Sequence, residues 1–217
     1  MTGLTAILAG ATGLVGGECL AHLLADDRYR RVIVVTRRDL GRDARSAKLR
    51  QVIVDFGRLE EVRDRVQGDH VFCALGTTIR KAGSRERFRE VDCVYPLSFA
   101  ALARGNGATH FSIVSALGAN RASPFFYSRV KGEVEEGLRA MNWPSLAIFR
   151  PSVIAGDRGE SRPLERVSEH LLRLAPSTWR PVAASDIAAA MVATALRSPP
   201  GVTVVESRHI VAAAAPG

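Results

Sequence analysis

The chain has 217 residues, of which 47% are hydrophobic and 24% charged, with 19 glycines and 10 prolines. This length predicts one domain whose core needs neither disulfides nor a structural metal, and the apolar content excludes wholesale disorder. The net charge is +8, from 30 basic against 22 acidic residues, and the only lysines are Lys48, Lys81 and Lys131. A surplus this rich in arginine suits a nucleic-acid surface or a protein that handles small anions. Cys19, Cys73 and Cys93 form no CxxC pair and the five histidines show no zinc spacing, so a reducing, cytoplasmic setting without a metal is expected. No Lys or Arg precedes Arg28, so the apolar Leu4–Ala11 run lacks the positive flank of a leader. The alanine-rich run Ile187–Leu196 is too short to span a bilayer.

In chain order, strands are predicted over Thr5–Ala9, Arg31–Thr36, Gln51–Asp55, His70–Ala74, His110–Ser115 and Ser145–Phe149, with a weaker one at Val202–Val205. The first six are near-continuous apolar runs, the pattern of strands buried on both faces of a parallel sheet. Helical segments fall between them at Gly13–Ala25, Leu59–Val66, Glu86–Arg104, Pro124–Met141 and Ser185–Arg197. This alternation predicts an α/β fold, a Rossmann-like doubly wound parallel sheet of six to seven strands in one domain over 1–217. Residues 156–181 lack a clear strand and are expected to form a small helical excursion on the substrate side.

The first strand runs into Gly10-Ala11-Thr12-Gly13-Leu14-Val15-Gly16 and then an amphipathic helix. Here Gly10 permits a tight turn, Gly13 lets backbone N–H groups approach a pyrophosphate, and Gly16 lets the helix pack closely on the strand. The helix N-terminus would then meet the anion with its dipole and unpaired N–H donors. The strand–turn–helix context makes dinucleotide binding the expected role. After the second strand the chain reads Thr36-Arg37-Arg38-Asp39. Arginine in the place where an acid would bind the adenosine ribose hydroxyl points to a 2′-phosphate, hence NADP(H); Asp39, two residues on, keeps NAD open. Gly76 and Thr77 follow the fourth strand, at the sheet edge where such ligands sit.

Ser115 ends the fifth strand, and Tyr127 and Lys131 stand four apart on the next helix, sharing a face. Carbonyl reduction by hydride needs a proton donor, and a free tyrosine near pKa 10 is a slow one. An ammonium at about 4 Å, with an effective dielectric near 20, favours tyrosinate by about 4 kcal/mol before desolvation reduces it. Ser115 would hydrogen-bond the carbonyl oxygen, and Lys131 could also hold the nicotinamide ribose.

Together with Leu75-Gly76-Thr77-Thr78, Lys81-Ala82-Gly83-Ser84, Val91-Asp92, Val114-Ser115-Ala116-Leu117-Gly118-Ala119, Lys131-Gly132-Glu133, Arg150-Pro151 and Glu160-Ser161-Arg162-Pro163, these motifs resemble an atypical short-chain dehydrogenase/reductase. The resemblance is to the Tat-interacting-protein-like subfamily of NAD(P)H-binding oxidoreductases. It implies adenine near Asp55 and Phe56, a 2′-phosphate on Arg37 and Arg38, and further cofactor contacts from Leu75 and Lys81. It also implies that Ser115, Tyr127, Lys131 and the Pro151–Val153 stretch surround the nicotinamide. About 66 residues follow Pro151, fewer than in the substrate lobe of sugar-modifying relatives, so a small carbonyl substrate is expected rather than an epimerase substrate. Some family members act mainly as regulators, so a non-catalytic NADP(H) sensor working through a protein partner stays open, as does a homodimer. No zinc-finger, helix-turn-helix or aromatic RNP pattern supports a nucleic-acid partner, and none at a membrane is expected.

Overall fold

The computed structural model describes residues 3–41, 46–155 and 181–215. Its main sheet is built from β1 (Leu4–Ala9), β2 (Tyr29–Thr36), β3 (Leu49–Ile53), β4 (His70–Cys73), β5 (His110–Val114), β6 (Ser145–Arg150) and β9 (Gly201–Glu206). The seven strands lie in the order β3-β2-β1-β4-β5-β6-β9, each pair parallel. A separate two-stranded parallel pair joins β7 (Ile154–Ala155) to β8 (Val182–Ala183), which the sequence did not suggest. The expected excursion over 156–181 lies, but for Pro181, outside the described residues.

Burial on both faces explains the apolar runs of the inner strands, whereas β3, expected to be buried alike, is an edge strand with Arg50 and Ile53 exposed. Along β1, Ile7 and Ala9 join one core while Ala6 and Leu8 join the other. The first core is covered by a 3-10 helix at Phe56–Arg65, α4 (Tyr95–Gly105) and α5 (Phe126–Ala140); the second by α1 (Leu14–Ala25) and α6 (Ala184–Arg197). A short α7 (Ile210–Ala213) closes the described chain against the second core. Among the described residues no helix is long and apolar enough to cross a membrane.

Two expected elements change form. The helix expected over Glu86–Arg104 contains Pro96, whose ring would strike the carbonyl four residues back, that of Asp92. The chain instead forms α3 (Arg85–Arg89), a π-helical turn over Glu90–Val94, and then α4 with Pro96 in its first turn. The segment expected as a helix over Leu59–Val66 is the 3-10 helix, kinked at Arg58. It starts early because Asp55, expected at the end of a strand, caps it by accepting from the Gly57 N–H at 2.9 Å. A short α2 (Ile79–Ala82) precedes α3, and the Lys81–Ser84 motif is the hinge between them. Gly83 takes a left-handed φ of 82° to end α2, and the Ser84 hydroxyl accepts from Arg87 N–H to start α3.

The strand origins carry a buried polar chain. The Tyr29 hydroxyl meets His70 Nδ1 at 2.8 Å, while His110 meets Ser145 through Nδ1 and Ser112 through Nε2, both at 2.8 Å. Burial lowers the pKa of both imidazoles, that of His110 to about 3. An unfolded histidine takes a proton below about pH 6.5. Between that pH and the folded value the unfolded chain binds more protons, so stability falls as pH drops, by about 1.4 kcal/mol per unit for each such histidine. The denaturant midpoint should therefore be clearly lower at pH 5 than at pH 7.5, with a shallower drop in His110→Asn. A midpoint equal at the two pH values would show that the histidines are not held neutral.

Candidate cofactor and active site

The strand order reverses at β1, with β2 on one side and β4 on the other, which opens a crevice at the carboxyl end of β1. Gly10 sits there with φ +91°, and a Cβ on it would lie 2.5 Å from the Ala74 carbonyl carbon. A Cβ at Gly16 would overlap the Gly10 carbonyl, so α1 can start against the turn only because position 16 has no side chain. Gly13 N–H donates to Gly10 O at 2.9 Å, and Gly13 caps α1 with no side chain bonded to the free N–H groups of the first turn. Thr12 and Gly13 are exposed on this rim, whereas Val15 is buried and offers only its backbone. These cradle features fit a pyrophosphate, since they leave donors pointing outward and no side chain in the way.

The other expected cofactor residues border the same edge. Arg37 and Arg38 follow β2, both exposed, and among the described residues neither forms an ion pair; Thr36 Oγ1 donates to Arg38 O at 2.9 Å and shapes the turn. The Phe56 ring, expected near the adenine, is buried and stacked on Tyr95 with centroids 5.7 Å apart, so Phe56 could offer a ligand its backbone but not its ring. Leu75 and Thr77 are half-buried, Gly76 is exposed, and Lys81 stands exposed on α2. Pro151 is buried, its carbonyl accepting from Leu117 N–H at 2.9 Å, while Val153 is exposed. A cavity of about 200 Å³ opens beside them, lined by Leu117, Glu206, Ser207 and Arg208.

The three candidate catalytic residues meet partners that sequence reasoning missed. Tyr127 is 40% exposed near the start of α5, its ring against Phe88 at 5.7 Å between centroids. Lys131, one turn on, is buried, and its ammonium lies 2.8 Å from Asp92 Oδ1 in the π-helical turn. Asp92 Oδ2 accepts from the Thr77 N–H at 2.8 Å. Burial pushes the Lys131 pKa down, but the carboxylate of Asp92 beside it more than offsets this, leaving it raised from the ordinary lysine value. Lys131 therefore stays charged, yet its counter-ion reduces the field that Tyr127 feels, and the sequence-based 4 kcal/mol is an overestimate.

Ser115 is buried and donates its hydroxyl hydrogen to Glu135 Oε1 at 2.6 Å. Arg150 holds that carboxylate through Nε at 2.9 Å and through Nη2, and reaches Glu206 at 3.0 Å. To donate to a carbonyl, Ser115 must turn its hydrogen away from Glu135, which keeps both bonds from Arg150. Lys131 and Glu135 stand four apart on α5, yet both are buried and meet other partners, Asp92 and Arg150. The usable signal for Asp92 was an acid within Val91-Asp92-Cys93-Val94-Tyr95, an otherwise apolar run.

Gly132 sets the distance between the β5 loop and α5. A Cβ there would overlap the backbone of Asn120 and Arg121, and the Ser128 carbonyl accepts from Asn120 N–H at 3.0 Å.

Residues 10–199 match a family model described as NAD(P)H-binding. The chain is similar to Protein HTATIP2 of Rattus norvegicus, 38% identical over 174 residues that cover 79% of this chain and 72% of the relative. It is also similar to Protein FMP52, mitochondrial, of Candida albicans, 31% identical over 193 residues, 85% and 84% of the two chains. Among solved structures, the Bordetella bronchiseptica enzyme WbmG in complex with NAD superposes with a TM-score of 0.71 at 17% identity, covering 94% of this chain and 73% of that one. MoeE5 in complex with UDP-glucose and NAD gives 0.71 at 17%, covering 96% and 80%. At such identities the likeness is one of fold.

Gly132→Ala should cost about 1–3 kcal/mol, because the added methyl meets backbone that cannot repack. At about 2–4 °C per kcal/mol for a chain of this size, a fall of several degrees in Tm is expected. An unchanged Tm would mean that the loop is not held against α5.

Proposed function

The chain belongs to the NAD(P)H-binding family, and from that premise we propose that it is an NADPH-dependent oxidoreductase reducing a small carbonyl compound. The observation that carries the reading is the stripe on α5 that sets a half-exposed Tyr127 one turn from a buried, charged Lys131, beside a glycine crevice shaped for a dinucleotide. Bound there, the dinucleotide would supply a hydride to the carbonyl carbon. Tyr127 delivers the proton to the developing alkoxide, and Lys131 stabilises the phenolate that remains. Ser115 turns its hydroxyl from Glu135 to the substrate oxygen and fixes its position.

Arg37 and Arg38 bind the 2′-phosphate as guanidinium forks, a preference supported by their exposure and by their lack of an acidic partner among the described residues. The cavity beside Leu117 and Arg208 takes the rest of the substrate. WbmG and MoeE5 carry NAD in their structures and MoeE5 holds a nucleotide sugar, so NAD and a nucleotide sugar are the competing ligands to test. The proposed location is cytoplasmic, supported by three free, buried cysteines; the mitochondrial label of the fungal relative names the alternative.

Tyr127→Phe should abolish turnover across a panel of small aldehydes and ketones while leaving NADPH affinity within about twofold. Full turnover in that variant would refute the mechanism. Tight NADPH binding by the wild type with no turnover on any carbonyl would instead mark a redox-sensing regulator that acts through a protein partner. In a titration of NADPH against NADH, Arg37→Ala should lose about tenfold or more in NADPH affinity, the scale of one charge-assisted phosphate contact, and little for NADH. Equal affinities in the wild type would return the preference to NAD.

A further inference from the structure

The Lys131–Asp92 pair has a third member. Asp92 reaches Lys131 on α5 through one oxygen, 2.8 Å away, and the Thr77 N–H through the other, also at 2.8 Å. Thr77 belongs to the loop after β4, where Gly76 and Thr77 border the crevice, and a Cβ on Gly76 would already approach Asp92 Oδ1 to 3.5 Å. The Asp92 side chain is fully buried and that of Lys131 nearly so. Asp92 reaches this place because Pro96 forbids a regular helix at that point and the π-helical turn over Glu90–Val94 carries it and Cys93 inward. Single π turns inside α-helices are frequent at functional sites.

We propose that Asp92 is the positioning residue of this site, keeping the buried Lys131 ammonium charged and fastening it to the cofactor-side loop, so that loop and lysine act as one unit. The inference rests on the oxidoreductase reading for its functional meaning, not for its chemistry. An ammonium removed from water loses its proton readily unless a carboxylate stays beside it. The titratable groups facing Lys131 are Asp92 from the π-helical turn, Tyr127 from its own helix and Cys73 from β4. Cys93, next in the turn, also feels Lys131 and Asp92, with Arg89 and Glu133 beyond it joined in their own ion pair at 2.9 Å. Among these groups only Asp92 is a carboxylate in contact with Lys131. Cys73 is a neutral thiol whose pKa burial pushes up to about 12. Without Asp92, burial is left to dominate, and the Lys131 pKa falls.

The chain's poverty in lysine makes this measurable. With 13C-labelled lysine, the protein shows three side-chain Cε resonances, assigned through Lys48→Arg and Lys81→Arg. In the wild type, Lys131 should titrate above the ordinary lysine value of about 10.4; titration at or below that value would overturn the proposal without any variant having to fold. In Asp92→Asn, the Lys131 midpoint should drop by at least about one pH unit, and NADPH affinity should weaken about tenfold, because the amide can still accept from Thr77 N–H but no longer ties the Lys131 ammonium to that loop. Asp92→Glu should restore most of both. A folded Asp92→Asn with an unmoved Lys131 midpoint, or with unchanged NADPH affinity, sinks the proposal. Should turnover survive Tyr127→Phe while the Lys131 midpoint still falls in Asp92→Asn, the pair stands and only the tyrosine mechanism is lost.

Discussion

Three backbone segments meet at the head of β1 at separations that leave no room for a methyl group. The turn through Gly10 passes the end of β4 at Ala74, and the first turn of α1 at Gly16 rests on the Gly10 carbonyl. Because of this close approach, α1 points its free N–H groups into the crevice where the strand order reverses, and the loop after β4 runs along the opposite rim. That loop reaches Asp92 through Thr77 and, through Asp92, Lys131. The cofactor cradle and the proposed catalytic helix are therefore linked by a short chain of direct contacts that begins at two positions where only glycine fits.

The face of α5 that meets the sheet carries Tyr127, Lys131 and Glu135 at successive i, i+4 positions. It runs from a half-exposed phenol at the crevice to two buried charges, each with its own counter-ion. Such pairs add little net stability, since desolvation consumes most of the attraction, but removing one partner leaves an uncompensated charge at a cost of about 3–5 kcal/mol. Their consequence here is specificity of arrangement. Asp92 fixes the lysine, and Arg150 fixes the carboxylate that receives the Ser115 hydrogen. At the opposite end of the strands, Tyr29, His70, His110, Ser112 and Ser145 satisfy one another without formal charge.

The five inner strands of the main sheet were legible because burial on both faces gives near-continuous apolar runs, whereas the edge strands β3 and β9 expose part of their length, and β9 read as the weaker one. Element ends were less legible. The strand expected to run to Asp55 stops at Ile53, since Asp55 serves as a cap, and caps depend on which N–H groups the next turn exposes. A disturbance of the helix at Pro96 could have been read from the residue alone, through its clash with the carbonyl of Asp92; that the chain answers with a π-helical turn inside a continuous helix could not.

By itself the sequence determined the parallel α/β order, the glycine turn and the i, i+4 placement of Tyr127 and Lys131, all consequences of periodicity and of local backbone freedom. Only the tertiary structure decided the partners of the charged groups. Asp92 lies 39 residues before Lys131, Glu135 lies 20 after Ser115, and Arg150 lies 15 after Glu135. Which acid meets which base is settled by how helices dock on the sheet. Once they dock, the low dielectric of the interior requires each buried charge to find its partner, whatever the spacing along the chain.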